Sequence, residues 1–541
     1  MVFWSLLMEF INKYSSQVQL YILCSSISYV LLTVVSPMLL SKVGTINIKE
    51  NFNPILIPIA IIWLTLIVLY CIKVFISHNL IPNLNSFLKK RLFELYLEKH
   101  ENNFNESEVT AHMTRLFEIV EHIKSLFLWM IDTVMPMFVL MICVNFYLFY
   151  ASPILGVLNI IANLIIISYV RSVMDKINLI LLKQQENLFK LIETIDEKFS
   201  NLMNIYLNDK IKDSVDDYIN IDTEYTEQCK NNNKDIQMSI FTVRSIMYSY
   251  AGIAIIYMYW SLLQDKIKQE DIVTTVIIIF FYCSAIDILA DRTLVTSKEI
   301  TSLLSSEHLF KKDELNKKNQ LSSNEGNIEC KNLQFYYRKD NPILNKCSFS
   351  IKSGEKVILL GKTGSGKSTL VKLILGFYKI QEGSITINGQ DINTIDLKDI
   401  RKHIHYINQK TNLFHDTILN NMKYGNDSTD EQITALLKKY NLIDIFGENE
   451  SSLQRVIEKH GSNISAGMQK VIIVIRGILH PCNVLIMDEP FSSIDIKTRN
   501  NILQVIKNEI RAKTLLIITH DMNGLEEIMD RSVNMKELNQ I

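Results

Sequence analysis

Val357-Ile358-Leu359-Leu360-Gly361-Lys362-Thr363-Gly364-Ser365-Gly366-Lys367-Ser368-Thr369 runs straight into Leu370-Val371-Lys372-Leu373-Ile374-Leu375. The first four residues form a short apolar run that predicts a buried strand. The last six carry the apolar spacing of a helix. Between them lies the spacing of a phosphate-binding loop, in the strand–loop–helix context that such a loop requires. Gly361, Gly364 and Gly366 let backbone N–H groups curl around phosphate oxygens without Cβ obstruction. The helix N-terminus adds partial positive charge beside Ser365 and Thr369. Lys367 is placed to reach the β- and γ-phosphates, and the Ser368 hydroxyl to ligate Mg²⁺.

Two further strands complete this reading. Val484-Leu485-Ile486-Met487-Asp488-Glu489-Pro490 is apolar until it ends in two carboxylates. Asp488 suits the water shell of a magnesium ion, and Glu489 can polarise an attacking water. Leu515-Leu516-Ile517-Ile518-Thr519-His520 is another buried run, and it ends in a histidine positioned for the γ-phosphate and that water. A lone histidine there would be structural; behind a phosphate loop and a carboxylate pair it becomes a site candidate. These features predict an α/β P-loop NTPase domain over residues 327–541.

The N-terminal half has a different character. The 541 residues are too many for one core, and uncharged runs dominate residues 1–310. Runs at 14–41, 51–72 and 245–264 each suffice for one crossing of roughly 20 residues. The run at 133–170 suffices for two, with Ala151-Ser152-Pro153 as the turn between them. A sixth begins near 272 and meets Asp287, Asp291 and Arg292 at its end. Six crossings put both termini on one side. The loops after crossings two and four run to roughly 60 and 70 residues, beyond ordinary connections. Leu88-Lys89-Lys90-Arg91-Leu92-Phe93-Glu94-Leu95 keeps helical spacing and a basic cluster, so the membrane helix is expected to continue into the cytoplasm. A separate globular insert would need a second apolar period, and none is present. Met130, Met135, Met137 and Met141 read as packing. Asp132 reads either as a solute contact or as a helix-end carboxylate touching water. A polar linker is expected over 311–326.

Bulk properties exclude other classes. The net charge is −1, so nothing pulls the chain toward nucleic acid. The eight cysteines form no CxxC pair, which leaves zinc sites and a disulfide framework without support. The N-terminus lacks a basic region followed by a small-residue cleavage site, so the first helix is expected to remain as an anchor.

The ordered set resembles the ATPase domain of ATP-binding-cassette (ABC) transporters, and the membrane half resembles ABC exporters with helices reaching into the cytoplasm. The resemblance covers essentially the whole chain. It implies ATP and Mg²⁺ as cofactors and Tyr337, in Phe335-Tyr336-Tyr337, as the ring that stacks on adenine. It implies Gln409, in Ile407-Asn408-Gln409, as the glutamine that senses Mg²⁺ and faces the membrane domain. Phe414-His415-Asp416-Thr417-Ile418 and Asn421 continue that stretch, and Ser492-Ser493-Ile494-Asp495 matches the D-loop. Residues 104–115 and 205–212 resemble the segments that dock on ATPase domains. The family's Leu-Ser-Gly-Gly-Gln signature stands here as Ile464-Ser465-Ala466-Gly467-Met468, followed by Gln469-Lys470-Val471. The acid of the stretch before it is displaced by one residue, to Glu458 in Ile457-Glu458-Lys459-His460-Gly461. Arg476, Asp488 and Asp495 keep the family's spacing.

The resemblance implies a multi-pass half-transporter whose ATPase domain and termini are cytoplasmic. It would pair with a second half-transporter chain, a heterodimer being favoured over a homodimer. Lipid would surround it and an unidentified solute would cross. Ser465, Ala466 and Gly467 would then serve the partner's ATP. Three rivals remain open: an ABC ATPase acting on nucleic acid, which six crossings argue against, an ATP-gated channel or regulator, and an importer on the exporter fold.

Overall fold

The computed structural model describes residues 2–43, 53–100, 109–264, 269–310, 319–323, 325–338, 341–362, 364–409, 411–447, 450–510 and 513–539. The chain divides into two compact units, whose main sequence boundary lies between Lys312 and Asp313.

The first unit is helical. Helices α1 (Val2–Lys13), α2 (Ser15–Val30) and α3 (Ser36–Val43) open it. Next come α4 (Asn53–His100) and α5 (Val109–Trp129), then α6 (Met135–Ala151) and α7 (Pro153–Ser200). The short α8 (Leu202–Leu207) leads to α9 (Ile211–Leu263) and α10 (Gln269–Ser306). Six of these stretches are long and apolar enough to cross a membrane, as the uncharged runs predict. Two crossings contain a wider π-helical turn: Leu31–Val35 joins α2 to α3, and Met130–Val134 joins α5 to α6. The turn between crossings three and four falls at Ser152, whose backbone is extended (φ −162°, ψ 129°). Pro153 then starts α7, where its missing N–H costs nothing.

The long loops are indeed helix extensions. At 1.5 Å per residue the 48 residues of α4 span about 72 Å, against roughly 30 Å of hydrocarbon. Helix α7 has the same length and α9 reaches 53 residues. Leu80, Leu84, Leu88 and Leu92 recur every fourth residue on α4 and are almost completely buried. They belong to one core with Ile119, Ile123, Phe127 and Ile131 of the third crossing. Trp63, Leu64, Ile67 and Phe75 of the same helix stay exposed. Polar bonds also join helices: Tyr282 O–H donates to Asn163 Oδ1 at 2.8 Å, and Asn159 Nδ2 to Asn145 Oδ1 at 3.0 Å. The charges at the end of the sixth crossing find a partner, since Arg244 of α9 reaches Asp287 at 2.5 Å and Asp291 at 3.1 Å.

The second unit is α/β. Strands β1 (Ile328–Arg338), β2 (Asn341–Ile351) and β3 (Lys356–Leu360) precede α11 (Lys367–Ile374). Next come β4 (Glu382–Ile387), β5 (Gln390–Asp391), α12 (Leu397–His403) and β6 (Ile404–Ile407). Helices α13 (Ile418–Lys423), α14 (Asp430–Lys439) and α15 (Ala466–Leu479) lead to β7 (Val484–Asp488). The unit closes with α16 (Ile496–Glu509), β8 (Thr514–Ile518), β9 (Arg531–Asn534) and α17 (Met535–Leu538). One sheet has the order β2-β1-β4-β5 and is antiparallel; the other has the order β6-β7-β8-β3-β9 and is parallel. Every residue of β7 and β8 is buried, which suits strands covered on both faces. Of the expected linker, residues 311–318 lie outside the described residues. Asn319 and Leu321 already bond into the second unit, through Thr394, Asp396 and Asp399.

The leucine stripe of α4 gives a direct test. Leu88→Ala removes a side chain with no exposed surface and is expected to cost about 2–5 kcal/mol. Phe75→Ala, on the exposed face, is expected to stay within about 0.5 kcal/mol of the parent. Equilibrium unfolding in mixed micelles compares the two.

Candidate functional site

Parallel pairing of β7, β8 and β3 puts their C-terminal ends on one edge of the sheet. The phosphate loop, the carboxylate pair and the histidine follow those three ends, so the topology alone gathers them. Gly364 and Gly366 take left-handed backbone (φ 82° and 94°), and Gly366 caps α11. A side chain at Gly361 would lie 2.7 Å from Ser365 Oγ. The Lys367 ammonium folds back on the loop and donates to the carbonyls of Gly361 (2.6 Å) and Lys362 (3.0 Å). Thr363 lies outside the described residues.

Asp488 ends β7 and is 4 % exposed. A buried carboxylate needs donors, and two hydroxyls reach the same oxygen: Ser368 at 2.8 Å and Tyr406, on β6, at 3.1 Å. Glu489 sits one residue on in left-handed backbone (φ 48°), a costly conformation for a residue with a side chain. Its N–H is held by the Ile518 carbonyl at 2.8 Å. Its carboxylate accepts from His520 Nδ1 (2.8 Å) on one oxygen and from the Thr519 hydroxyl (3.2 Å) on the other. The hydrogen bond from His520 to Glu489, and then the negative charge itself, raise the histidine's pKa above its ordinary value.

Further side chains surround this group. Lys470, buried on α15, donates to the Gln409 carbonyl at 3.2 Å. Burial lowers its pKa, while the charges of Asp488 and Glu489 oppose that shift. The exposed Gln409 carboxamide makes no hydrogen bond among the described residues. Tyr337 is half-exposed, with its hydroxyl 3.2 Å from Thr369 Oγ1. Its ring meets Phe335 and Tyr378 edge-on at 5.1 and 5.4 Å, which makes an aromatic platform beside the loop. Tyr406 and Tyr378 escape a motif search because only pairing of distant segments brings them here.

The signature residues stand apart: none is hydrogen-bonded to the phosphate loop of its own chain among the described residues. Ser465 caps α15, accepting from the Met468 N–H at 3.2 Å. Ala466 is the first helical residue and is exposed. A Cβ on Gly467 would lie 3.2 Å from the Ser493 carbonyl, so signature and D-loop touch. Met468 Sδ is 3.9 Å from Arg455 Nη2. Asp495 caps α16, accepting from the Thr498 N–H at 2.9 Å, and hydrogen bonds to Thr498 hold its pKa below the ordinary carboxylate value. Arg476, also buried, donates to the Asn421 carbonyl (2.6 Å) and side-chain oxygen (2.9 Å), fixing the stretch after Gln409.

In the first unit Asp132 is neither at a helix end nor simply solvated. It lies in the π-helical turn of the third crossing and pairs with Lys73 at 2.6 Å. Of the expected docking segments, residues 104–108 fall outside the described residues. The second contains α8, where Met203, Tyr206 and Leu207 are exposed apolar residues.

The site can accept a nucleotide with a divalent cation. Ser365 Oγ is buried without a partner, an orphan that a phosphate oxygen would satisfy. Ser368 and Asp488 put two oxygen donors side by side, as a hard cation needs.

Comparison with known proteins agrees with this geometry. Residues 344–492 match the family described as ABC transporter, which makes this an ATP-binding domain. An ATP-dependent lipid A-core flippase of Saccharophagus degradans is 36 % identical over 208 residues, covering 38 % of this chain and 36 % of the flippase. The mitochondrial iron-sulfur clusters transporter ATM1 of Debaryomyces hansenii is 33 % identical over 240 residues, 42 % of this chain and 34 % of that protein. The chain thus spans about a third of the length of these curated relatives. A putative export ATP-binding/permease protein of Rickettsia bellii aligns over 83 % of this chain and 79 % of its own, at 24 % identity. Among solved structures, a bacterial Atm1-family ABC exporter with ATP bound superposes with a TM-score of 0.82. It covers 97 % of this chain and 93 % of its own at 16 % identity, which is a likeness of fold.

The His520–Glu489 contact has a pH signature. The raised pKa means the pair's contribution is fully present below the ordinary histidine value near ~6.5 and is lost as pH rises through the raised one. Histidine-selective NMR of the full chain in nanodiscs should show His520 titrating above that value. In Glu489→Gln the titration should move back down.

Proposed function

We propose that this chain is an ABC transporter of exporter type, one half of an ATP-driven pump that exports a solute across a membrane. The observation that carries the reading is the grouping of Ser368, Asp488, Glu489 and His520 on one sheet edge, in a chain with six membrane-spanning helices.

The geometry supports these roles, and the family resemblance adds those of Tyr337 and Gln409. Lys367 exchanges its two loop carbonyls for phosphate oxygens, and Ser365 and the loop N–H groups cradle the same phosphates. Tyr337 offers its ring to adenine. Ser368, Asp488 and Gln409 would hold Mg²⁺, directly or through water, and bound there it would supply positive charge beside the phosphates. Glu489 orients and polarises the attacking water. His520, pinned by Glu489, presents its other ring nitrogen toward the γ-phosphate position. Two chains would enclose two ATP molecules, each between one chain's phosphate loop and the other's Ser465-Ala466-Gly467, with Asp495 of the D-loop beside it. Closure would draw on γ-phosphate contacts that exist only in the closed dimer. The exposed apolar residues of α8 suit a docking contact on an ATPase domain. In this reading the ATPase domain and both termini are cytoplasmic, where ATP is.

The partner is proposed to be a different chain. Ala466 puts a methyl group where backbone approaches phosphate, and Met468 lacks the amide of the family's glutamine. Each change weakens the partner's ATP clamp by about 1 kcal/mol per hydrogen bond lost. A homodimer carries that handicap twice, whereas a heterodimer confines it to one slow site.

Two experiments test these readings. Nucleotide affinity should fall in Lys367→Ala, while Glu489→Gln should bind ATP normally and lose turnover; parental turnover in Glu489→Gln removes its assigned role. The chain purified alone in lipid should show weak ATPase activity that rises when its partner is added. Cooperative hydrolysis by the lone chain at two equivalent sites would establish a homodimer instead.

A further inference from the structure

Helix α15 carries two buried cations, Lys470 and Arg476, each 6 % exposed. A charge so far from water is costly unless its surroundings compensate it. Arg476 is compensated by contact, through two hydrogen bonds to Asn421. Lys470 is not. Its three N–H donors find one acceptor among the described residues, the Gln409 carbonyl at 3.2 Å. The remaining compensation comes at longer range, from the charges of Asp488 and Glu489. The two cations are six residues apart, about 9 Å along the helix axis, and every residue from Lys470 to Ile478 is buried. They therefore grip the chain after β6 from one rigid support, Lys470 at Gln409 and Arg476 at Asn421. Between them the Asn408 carbonyl accepts from the Thr411 hydroxyl at 2.9 Å, which turns the chain. The Gln409 carboxamide is exposed and makes no hydrogen bond among the described residues. Its direction is set by its main chain, and Lys470 is the side chain that holds that main chain.

We infer that Lys470 is a positioning residue of the nucleotide site: by holding the Gln409 carbonyl it aims the Gln409 carboxamide at the cation that Ser368 and Asp488 would share. The inference rests on the roles proposed above for those three residues and adds a fourth to them. Lys470 is itself positive and repels a cation beside Asp488. Whatever it adds to cation binding therefore passes through Gln409, against the direct effect of its own charge. That opposition separates the two contributions. With the Gln409 side chain in place, loss of Lys470 weakens cation binding. Without that side chain there is nothing left to aim, and loss of Lys470 only removes repulsion.

Mn²⁺ is the probe, bound together with a non-hydrolysable ATP analogue to the full chain in nanodiscs and read by electron paramagnetic resonance. Lys470→Met puts an unbranched, uncharged side chain in the same buried place. It should weaken Mn²⁺ binding about tenfold, the worth of one hydrogen bond from a charged donor. Affinity for the analogue in EDTA reports the phosphate loop and Lys367, and it should stay at the parental value. In a Gln409→Ala chain, Lys470→Met should weaken Mn²⁺ binding no further, because the two residues act as one unit. Equal weakening with and without the Gln409 side chain would overturn the inference, as would parental Mn²⁺ affinity in Lys470→Met. A parallel fall in EDTA would also overturn it, since Lys470 would then be holding up the site as a whole. Gln409→Ala alone keeps the two readings apart. If it binds Mn²⁺ as the parent does, the role proposed for Gln409 falls first and takes this inference with it; if it binds weakly while Lys470→Met does not, only the assignment of Lys470 falls.

Discussion

Hydrocarbon offers no partner to a peptide N–H or C=O, so a chain that enters a bilayer keeps its backbone bonds within each segment. Every crossing here is a continuous helix, and even its irregularities stay helical, as wider turns at Leu31–Val35 and Met130–Val134. That constraint has a mechanical consequence. A helix that must not break inside the membrane has little reason to break just outside it, and α4, α7 and α9 continue far beyond the hydrocarbon thickness. Their extensions are held by stripes at fourth-residue spacing, such as Leu80 to Leu92 on α4 and Ile177, Leu181, Ile236 and Ile240 between α7 and α9. Displacement at one end of such a rod is felt at the other.

The second unit solves the opposite problem, since it must hold carboxylates where water is scarce. Asp488 is buried at the end of a strand with no exposed residue, and two hydroxyls satisfy it. Glu489 is forced into left-handed backbone, and His520 and Thr519 then fix its carboxylate. The sheet supplies both acids from one strand end, and neighbouring strands supply their donors. Strain at Glu489 is sustained because its N–H is locked to β8.

Much of this was legible in the sequence because the signals were local. The phosphate loop lies between its strand and its helix within a dozen residues, and Asp488 and Glu489 are adjacent. Ser152 and Pro153 mark their own turn, and the leucines of α4 carry its helical period past the membrane. What stayed illegible depends on pairing across the fold. Tyr406 meets Asp488 because β6 lies beside β7, and nothing around Tyr406 announces that. Lys73 and Asp132 are on different crossings, so Asp132 could be read as a helix-end carboxylate in water. The two π-helical turns carry no compositional mark. Charges at Asp287 and Asp291 looked like the end of a crossing, and only the structure supplies Arg244 as their counterpart.

The π-helical turns carry a genetic implication. Such a turn holds one residue more than an α-helical path of the same height, and one residue is worth about 100° of rotation. Losing a single codon within Met130–Val134 would restore a regular helix and swing Asp132 and its neighbours away from Lys73 while α6 keeps its seat. Gaining one elsewhere would do the reverse. A lineage built on this scaffold can therefore exchange the residues that the third crossing turns inward by indels of one residue, drawing them from the outward-facing side chains of the same helix.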